Sequence, residues 1–121
     1  FLNPNTAYFL IARSRNHLAV MSSVPVTLPN FALYDFTLPT NVMGGSAQLA
    51  ALGSGLFGLP AGDMNANGII SVADFNIYMQ QSSFTNNYLN ADLNLDKNVT
   101  IADFNLLQPN LSRIGVLQVR Y

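Results

Sequence analysis

Short apolar and aromatic runs occupy much of the first 59 residues of the chain. Such runs, separated by prolines and small polar residues, are typical of short β-strands joined by turns. Prolines at positions 25, 29 and 39 mark where the predicted strands stop. The predicted strands are residues 7–13, 17–21, 24–28 and 31–38, with a turn at 14–16 and a short helical turn at 47–52.

From residue 62 onward the pattern changes to a unit that occurs twice. Aligning Asp63 with Asp92, an offset of 29 residues, places DMNANGIISVADFN over DLNLDKNVTIADFN. Each copy is a polar loop followed by a helical pattern, so we expect an internal repeat of one loop–helix unit. The helices are predicted at residues 73–81 and 102–108, and Pro109 limits the second to about two turns.

The last residues alternate between apolar and polar side chains. Leu117, Val119 and Tyr121 share one side of an extended chain, with Gln118 and Arg120 on the other, which predicts a strand without a local hairpin partner. We therefore expect an α+β fold in three parts. These are an antiparallel β unit over residues 1–60 (Ig-like, or the end of a longer sandwich), a loop–helix unit over 61–113 and a terminal strand over 114–121.

Charged residues are scarce and concentrated. They make up 9% of the chain, against about 25% in ordinary soluble domains, and the acids are all aspartates. Five of the six lie within residues 63–103, and only Asp35 lies elsewhere. A chain that avoids charge yet gathers carboxylates in one region is expected to hold a cation there.

The two loops, residues 63–74 and 92–103, have the spacing of calcium ligands. An EF-hand-type loop places oxygen ligands at positions 1, 3, 5, 7, 9 and 12, with the backbone carbonyl used at position 7. We therefore expect two Ca²⁺ ions, and a short β bridge between Ile70 and Val99 at position 8. The predicted ligands are Asp63, Asn65, Asn67, the Ile69 carbonyl, Ser71 and Asp74, then Asp92, Asn94, Asp96, the Asn98 carbonyl, Thr100 and Asp103.

Two positions depart from that pattern. Position 12 is aspartate in both loops, where the longer glutamate is usual. Position 6 is Gly68 in the first loop but Lys97 in the second, and the sharp turn at this position favours glycine. We therefore predict backbone strain at Lys97, and a cation near the second site.

The segments GDMNANG at 62–68 and ADLNLD at 91–96, each followed by Ala-Asp-Phe-Asn, resemble the paired repeats of type I dockerins. The resemblance covers about residues 61–113. It implies loop–helix calcium motifs with aspartate at position 12, without the leading helix of a full EF-hand, and a cohesin-like partner. In that family positions 10 and 11 help to choose the partner. Here they are Val72-Ala73 and Ile101-Ala102, more apolar than the common Ser/Thr residues.

Catalysis is not expected. His17 is the only histidine and there is no cysteine, so neither a Ser–His triad nor a zinc cluster can be assembled. The net charge of −1 provides no field for nucleic acid, and no apolar stretch approaches the roughly 20 residues needed for membrane insertion.

Two roles remain open for a calcium-binding chain of this kind. The first is a structural subunit that assembles with copies of itself into a fibre or layer, favoured by the scarcity of charge and the lone terminal strand. The second is a docking module that binds a cohesin-like protein, favoured by the resemblance. Calcium at millimolar concentration is an extracellular condition, so we expect the protein outside the cell or at its surface. Because the chain begins at Phe1, we expect a processed or trimmed product.

Overall fold

The computed structural model describes residues 3–119. Six short strands form three antiparallel pairs, and two α-helices follow them. This arrangement is a mixed α+β architecture, as predicted. The strand pairs are β1 (Thr6–Tyr8) with β4 (Val26–Leu28), β2 (Ile11–Ser14) with β3 (His17–Met21), and β5 (Ala50–Gly53) with β6 (Leu56–Gly58). The helices are α1 (Val72–Gln81) and α2 (Ile101–Leu107), with 3₁₀ turns at Pro39–Asn41, Gly45–Gln48 and Gln108–Asn110.

The β2–β3 hairpin confirms the predicted turn and return strand. Ile11 lies opposite Met21 and Ser14 opposite His17, with a bulge between Ala12 and Ser14. The single strand expected over 7–13 is instead divided in two. Its first part is β1, which leaves the hairpin and pairs with β4.

The strand predicted at 31–38 is wrong. The backbone of this segment folds onto local side chains rather than onto another strand. Thr37 donates its backbone N–H to the Asp35 carboxylate at 2.8 Å, and the Asn41 side chain donates to the Asp35 carbonyl at 2.9 Å. Aspartate and asparagine compete in this way with strand pairing, which the apolar residues of the segment do not reveal.

The helical turn predicted at 47–52 lies earlier in the chain. The 3₁₀ turn covers Gly45–Gln48, and the chain is already extended as β5 from Ala50. Gly53, Ser54 and Gly55 all have positive φ angles and turn the chain into β6.

The terminal strand predicted for 114–121 is also wrong as far as the structure describes it. Ile114 makes one isolated bridge with Ile69, and the chain then turns, with the Val119 N–H donating to the Val116 carbonyl at 3.2 Å. Val119 is buried in a small cluster with Ala19 and Met21 of the same chain. The tail is thus held by side-chain packing instead of a backbone ladder. Arg120 and Tyr121, also part of the predicted strand, lie outside the described residues.

Both predicted helices are confirmed, each beginning one residue earlier than predicted, and the second ends at Leu107 instead of residue 108. Ser71 and Thr100 cap them, accepting hydrogen bonds from the N–H groups of Ala73 and Ala102. Such caps satisfy N–H groups that have no partner within the helix. Pro109 stands in the 3₁₀ turn that follows α2. Within residues 3–119 no helix has the length and apolar character needed to span a membrane.

Strand β3 joins the β-rich part to the loop–helix part. Leu18 is fully buried in the main core, whose other buried members all come from residues 61–107. Ala19 belongs to a second cluster, because successive side chains of a strand point to opposite faces. Val20, on the same side of the strand as Leu18, belongs to a third cluster with Val42 and Leu49. The remaining buried members of the main core are Ala61, Met64, Ile70, Tyr78, Ala91, Leu93, Val99 and Leu107.

We predict that Leu18→Ala destabilises the loop–helix part together with the hairpin. Truncating a fully buried leucine costs about 2–5 kcal/mol, and the packing lost here belongs to a core that both parts share. Leu33→Ala is the matched control, because Leu33 is exposed and the change should stay within about 0.5 kcal/mol. Urea unfolding followed by hydrogen exchange would check this, and loss of protection confined to the hairpin would contradict it.

Candidate metal centres

Each loop is closed by the carboxylate at its first position. Asp63 accepts hydrogen bonds from the backbone N–H groups of Asn67 and Gly68, each at 3.0 Å. Asp92 accepts the equivalent bonds from Asp96 at 3.1 Å and Lys97 at 3.0 Å. The two loops therefore share one backbone conformation around their first aspartate.

The carboxylate at position 12 ties each helix back to the start of its loop. Asp74 accepts hydrogen bonds from the N–H groups of Met64 and Ser71, both at 2.8 Å. Asp103 accepts the equivalent bonds from Leu93 and Thr100, again at 2.8 Å. Because each of these aspartates is the third residue of its helix, it also completes the capping box.

These four aspartates are buried, with 1% or less of each residue exposed. In the part of the chain that the structure describes, the hydrogen bonds that these carboxylates accept come from backbone N–H groups, which carry no net charge. Removing a carboxylate from water is costly unless it is paired, because its charge loses hydration. Each loop therefore gathers two negative charges in a place that water barely reaches.

The first loop shows the electrostatic effect of this arrangement. Burial raises the pKa of the Asp63 carboxyl, and the charge of Asp74 adds to the rise, while the N–H groups of Gly68 and Asn67 oppose it. A raised pKa means that the folded chain binds this proton more readily than the unfolded chain. The stability contributed by Asp63 therefore falls as the pH rises through the interval between its ordinary and its raised pKa.

The remaining predicted side-chain ligands lie on the outer part of the loops. Asn65 and Asn67 are exposed in the first loop, and their side-chain oxygens accept hydrogen bonds from Asn67 and Ile69. In the second loop Asn94 and Asp96 accept the equivalent bonds, from Asp96 at 3.0 Å and Asn98 at 2.8 Å. The structure thus brings the predicted residues together in two equivalent loops.

In each loop, amide and hydroxyl oxygens would have to supply the calcium ligands that the carboxylates do not. Within the described part of the chain, no three Asp, Glu, His or Cys side chains converge as a metal-binding group. The first loop has only two carboxylates, Asp63 and Asp74, so its other candidate ligands are Asn65, Asn67 and Ser71. Calcium accepts this mixture, because carboxylate, amide and carbonyl oxygens all serve as its ligands.

The strain predicted at Lys97 is confirmed. Its φ angle is 72°, close to the 85° of Gly68 at the same loop position. Position 4 is also left-handed in both loops, with φ of 56° at Ala66 and 62° at Leu95. The Lys97 ammonium lies 5.3 Å from the centre of the Tyr88 ring, a distance typical of a cation–π contact.

The predicted bridge between Ile70 and Val99 is wrong. Ile70 pairs with the segment after α2, donating to the Arg113 carbonyl at 2.9 Å and accepting from Ser112 at 2.8 Å. Val99 pairs in the same way with the segment after α1, through Phe84 at 2.9 Å and Ser83 at 3.0 Å. With both backbone groups of each residue already used, each loop is braced by the end of the other repeat.

The sequence patterns did not identify three asparagines that contact the loop entries. The side chain of Asn90 donates to the Met64 carbonyl at 3.1 Å, and that of Asn110 donates to the Ala61 carbonyl at 3.0 Å. The side chain of Asn16 donates to the carbonyls of Asn90 and Asp92. Local patterns could not reveal these contacts, because their partners lie 26 to 76 positions away along the chain.

Comparison of the chain with protein-family models, with curated proteins and with solved structures gave no match.

We predict that Lys97→Gly stabilises the protein in the presence of a calcium chelator. Removing the strain of a left-handed φ at position 97 raises the free energy of unfolding by about 1–2 kcal/mol. The greater freedom of glycine in the unfolded chain offsets part of this gain, so the net stabilisation is about 0.5–1 kcal/mol. Lys97→Ala is the matched control, because it removes the charge and the Tyr88 contact but keeps the Cβ atom. If both variants change the free energy of unfolding equally, the strain argument is wrong.

Proposed function

We propose that this chain is a non-catalytic, calcium-stabilised structural protein of the extracellular space or cell surface, with one Ca²⁺ ion in each loop. In this proposal residues 61–113 form a dockerin-like pair of loop–helix repeats. The observation that carries it is the burial of two carboxylates in each loop whose hydrogen-bond donors, among residues 3–119, are uncharged backbone N–H groups. A divalent cation would offset the charge that these N–H groups leave uncompensated.

The donor set favours calcium over other metals. All candidate ligands are oxygens, and the chain has no cysteine and a single histidine, which disfavours zinc and copper. Calcium tolerates 6–8 oxygen ligands in flexible geometry, whereas magnesium demands a near-ideal octahedron and retains several waters. When bound, the calcium ion supplies positive charge that balances the negative charge of the buried aspartates.

Binding of this kind is coupled to folding. The helices have 10 and 7 residues, too short to be stable alone in water. Asp74 and Asp103 hold their first turns against the loops. Because the unfolded chain has no preformed site, calcium binding adds directly to the free energy of folding.

We predict two calcium-binding events in isothermal titration calorimetry. Asp63→Ala and Asp92→Ala should each abolish one event, since each removes the first ligand of one loop. Asp35→Ala is the matched control, because this aspartate lies outside the loops and is bonded to Thr37 instead. The proposal is wrong if the wild-type chain shows no calcium binding, or if Asp35→Ala loses as much calcium binding as the loop variants do.

Exposed apolar side chains support a role in assembly with copies of the chain. Phe31 and Leu33 are 99% and 92% exposed, two residues apart on the segment that follows β4. Only 9% of the chain is charged, so few charges oppose association. The tail is packed against β3 through Val119, so this assembly would rely on apolar side-chain contacts rather than on a donated terminal strand.

A docking role with a cohesin-like partner is the second candidate, and one observation favours it. Val72 and Ile101 are 70% and 65% exposed, and each is the first residue of its helix. The two repeats therefore present the same apolar position to solvent. These are the positions that the dockerin resemblance connects with the choice of partner.

We predict that the double variant Phe31→Ser/Leu33→Ser lowers self-association in sedimentation velocity over a range of concentrations. Val72→Ser/Ile101→Ser is the matched control and should leave association unchanged, because it alters only the helix starts. A wild-type chain that stays monomeric at all concentrations would rule out self-assembly. Loss of association only in the helix variant would place the interface on the repeats instead.

A further inference from the structure

The tip of the β2–β3 hairpin holds the chain that leads into the second loop. The Asn16 side chain is buried, and its Nδ2 donates to the carbonyls of Asn90 at 3.0 Å and Asp92 at 2.9 Å. Arg15 donates from its two terminal nitrogens to the carbonyls of Tyr88 at 2.9 Å and Leu89 at 3.0 Å. Four carbonyl groups between residues 88 and 92 are therefore held by two side chains of the hairpin.

The orientation of the Asn16 amide is itself fixed. His17 Nδ1 lies 2.9 Å from Asn16 Oδ1. Since Nδ2 already donates twice, Oδ1 is the free acceptor and His17 supplies the proton. The Asn16 backbone carbonyl accepts from Gly62 N–H at 2.9 Å, so the main chain of Asn16 stays bound to the entry of the first loop whatever its side chain is.

The first loop receives the same kind of bond from another source. The Ala61 carbonyl, which the repeat offset of 29 aligns with that of Asn90, accepts from Asn110 Nδ2 at 3.0 Å. Asn110 also donates to the Leu106 carbonyl at 3.0 Å, which holds it on the end of α2. Each loop entry is thus bound by one asparagine amide.

The internal repeat is broken at this point. The residue that aligns with Asn110 in the first repeat is Gln81, which accepts from the Ala91 N–H at 3.0 Å instead of donating to Asn90. The amide that Gln81 of the first repeat does not donate to the second loop comes from Asn16, on the β-rich part of the chain. The N-terminal hairpin therefore takes a place that the repeat alone leaves unfilled.

We infer that Asn16 is a positioning residue for the second calcium loop, and that its side chain raises the calcium affinity of that loop without changing the affinity of the first. The inference rests on the proposed calcium function. The Nδ2 atom of Asn16 orients the backbone of Asp92, whose carboxylate is the first ligand of the second loop. By linkage, calcium in the second loop stabilises the hairpin by the same free energy by which the hairpin favours calcium.

The test measures each site alone. Asp63→Ala leaves only the second site, and Asp92→Ala leaves only the first. Asn16→Ala should weaken calcium binding about 10-fold in the Asp63→Ala background, the scale on which residues that support metal ligands act. In the Asp92→Ala background it should leave the affinity unchanged within about 2-fold, because the backbone bond to Gly62 remains.

Asn110→Ala is the matched control and should give the opposite result. It removes the equivalent amide from the first loop, so it should weaken the first site and spare the second. Amide hydrogen exchange measured in the presence of chelator provides a second readout, which does not depend on bound calcium. Asn16→Ala should speed exchange of residues 88–97 and leave residues 61–68 as they are, with the reverse pattern for Asn110→Ala.

Failure of this inference can be told from failure of the proposed function. If neither single-site background binds calcium, the calcium function itself is wrong. If both backgrounds bind calcium, the inference is overturned in either of two cases. The first is that Asn16→Ala weakens calcium binding equally at the two sites, and the second is that it weakens binding at neither site. Should Asn16→Ala fail to fold, Arg15→Ala decides by the same criterion, because Arg15 is exposed and holds the same segment through Tyr88 and Leu89.

Discussion

The structure depends on how four buried aspartates are satisfied. Each is excluded from water, and each accepts backbone N–H groups that close a loop or join that loop to the helix after it. Hydrogen bonds from uncharged N–H groups orient a carboxylate and stabilise it only in part, because two like charges still lie close in each loop. Burial raises the pKa of Asp63, and the charge of Asp74 adds to the rise. A bound divalent cation removes this conflict, which is why calcium is central to our account.

This constraint extends beyond the loops because the main core takes in a residue of the β-rich part. Leu18 of β3 is buried among side chains of both repeats, and Val119 near the other end packs beside β3. Asn16, two residues before Leu18, contacts the entries of both loops. Ordering the loops and folding the hairpin are therefore coupled events in our account, although the sequence divides into a β-rich half and a polar repeat.

The features that the sequence predicted correctly are those set by neighbours in the chain. The two helices after the polar loops, the hairpin ending at Met21 and the strained φ of Lys97 all follow from residues a few positions apart. The failures involve distant partners. Ile70 pairs with Arg113 rather than Val99, and Val119 meets β3 through its side chain, choices that alternation and spacing cannot distinguish. Asn16 carried no local signal, since its partners are 74 and 76 residues away.

The most direct test of the central claim is the dependence of the free energy of unfolding on calcium concentration. Above the dissociation constants, each bound ion adds about 1.4 kcal/mol for every tenfold rise in free calcium. Two sites therefore predict a slope of about 2.8 kcal/mol per decade, halved in Asp63→Ala and in Asp92→Ala. A free energy of unfolding that is the same in chelator and in millimolar calcium would contradict the account.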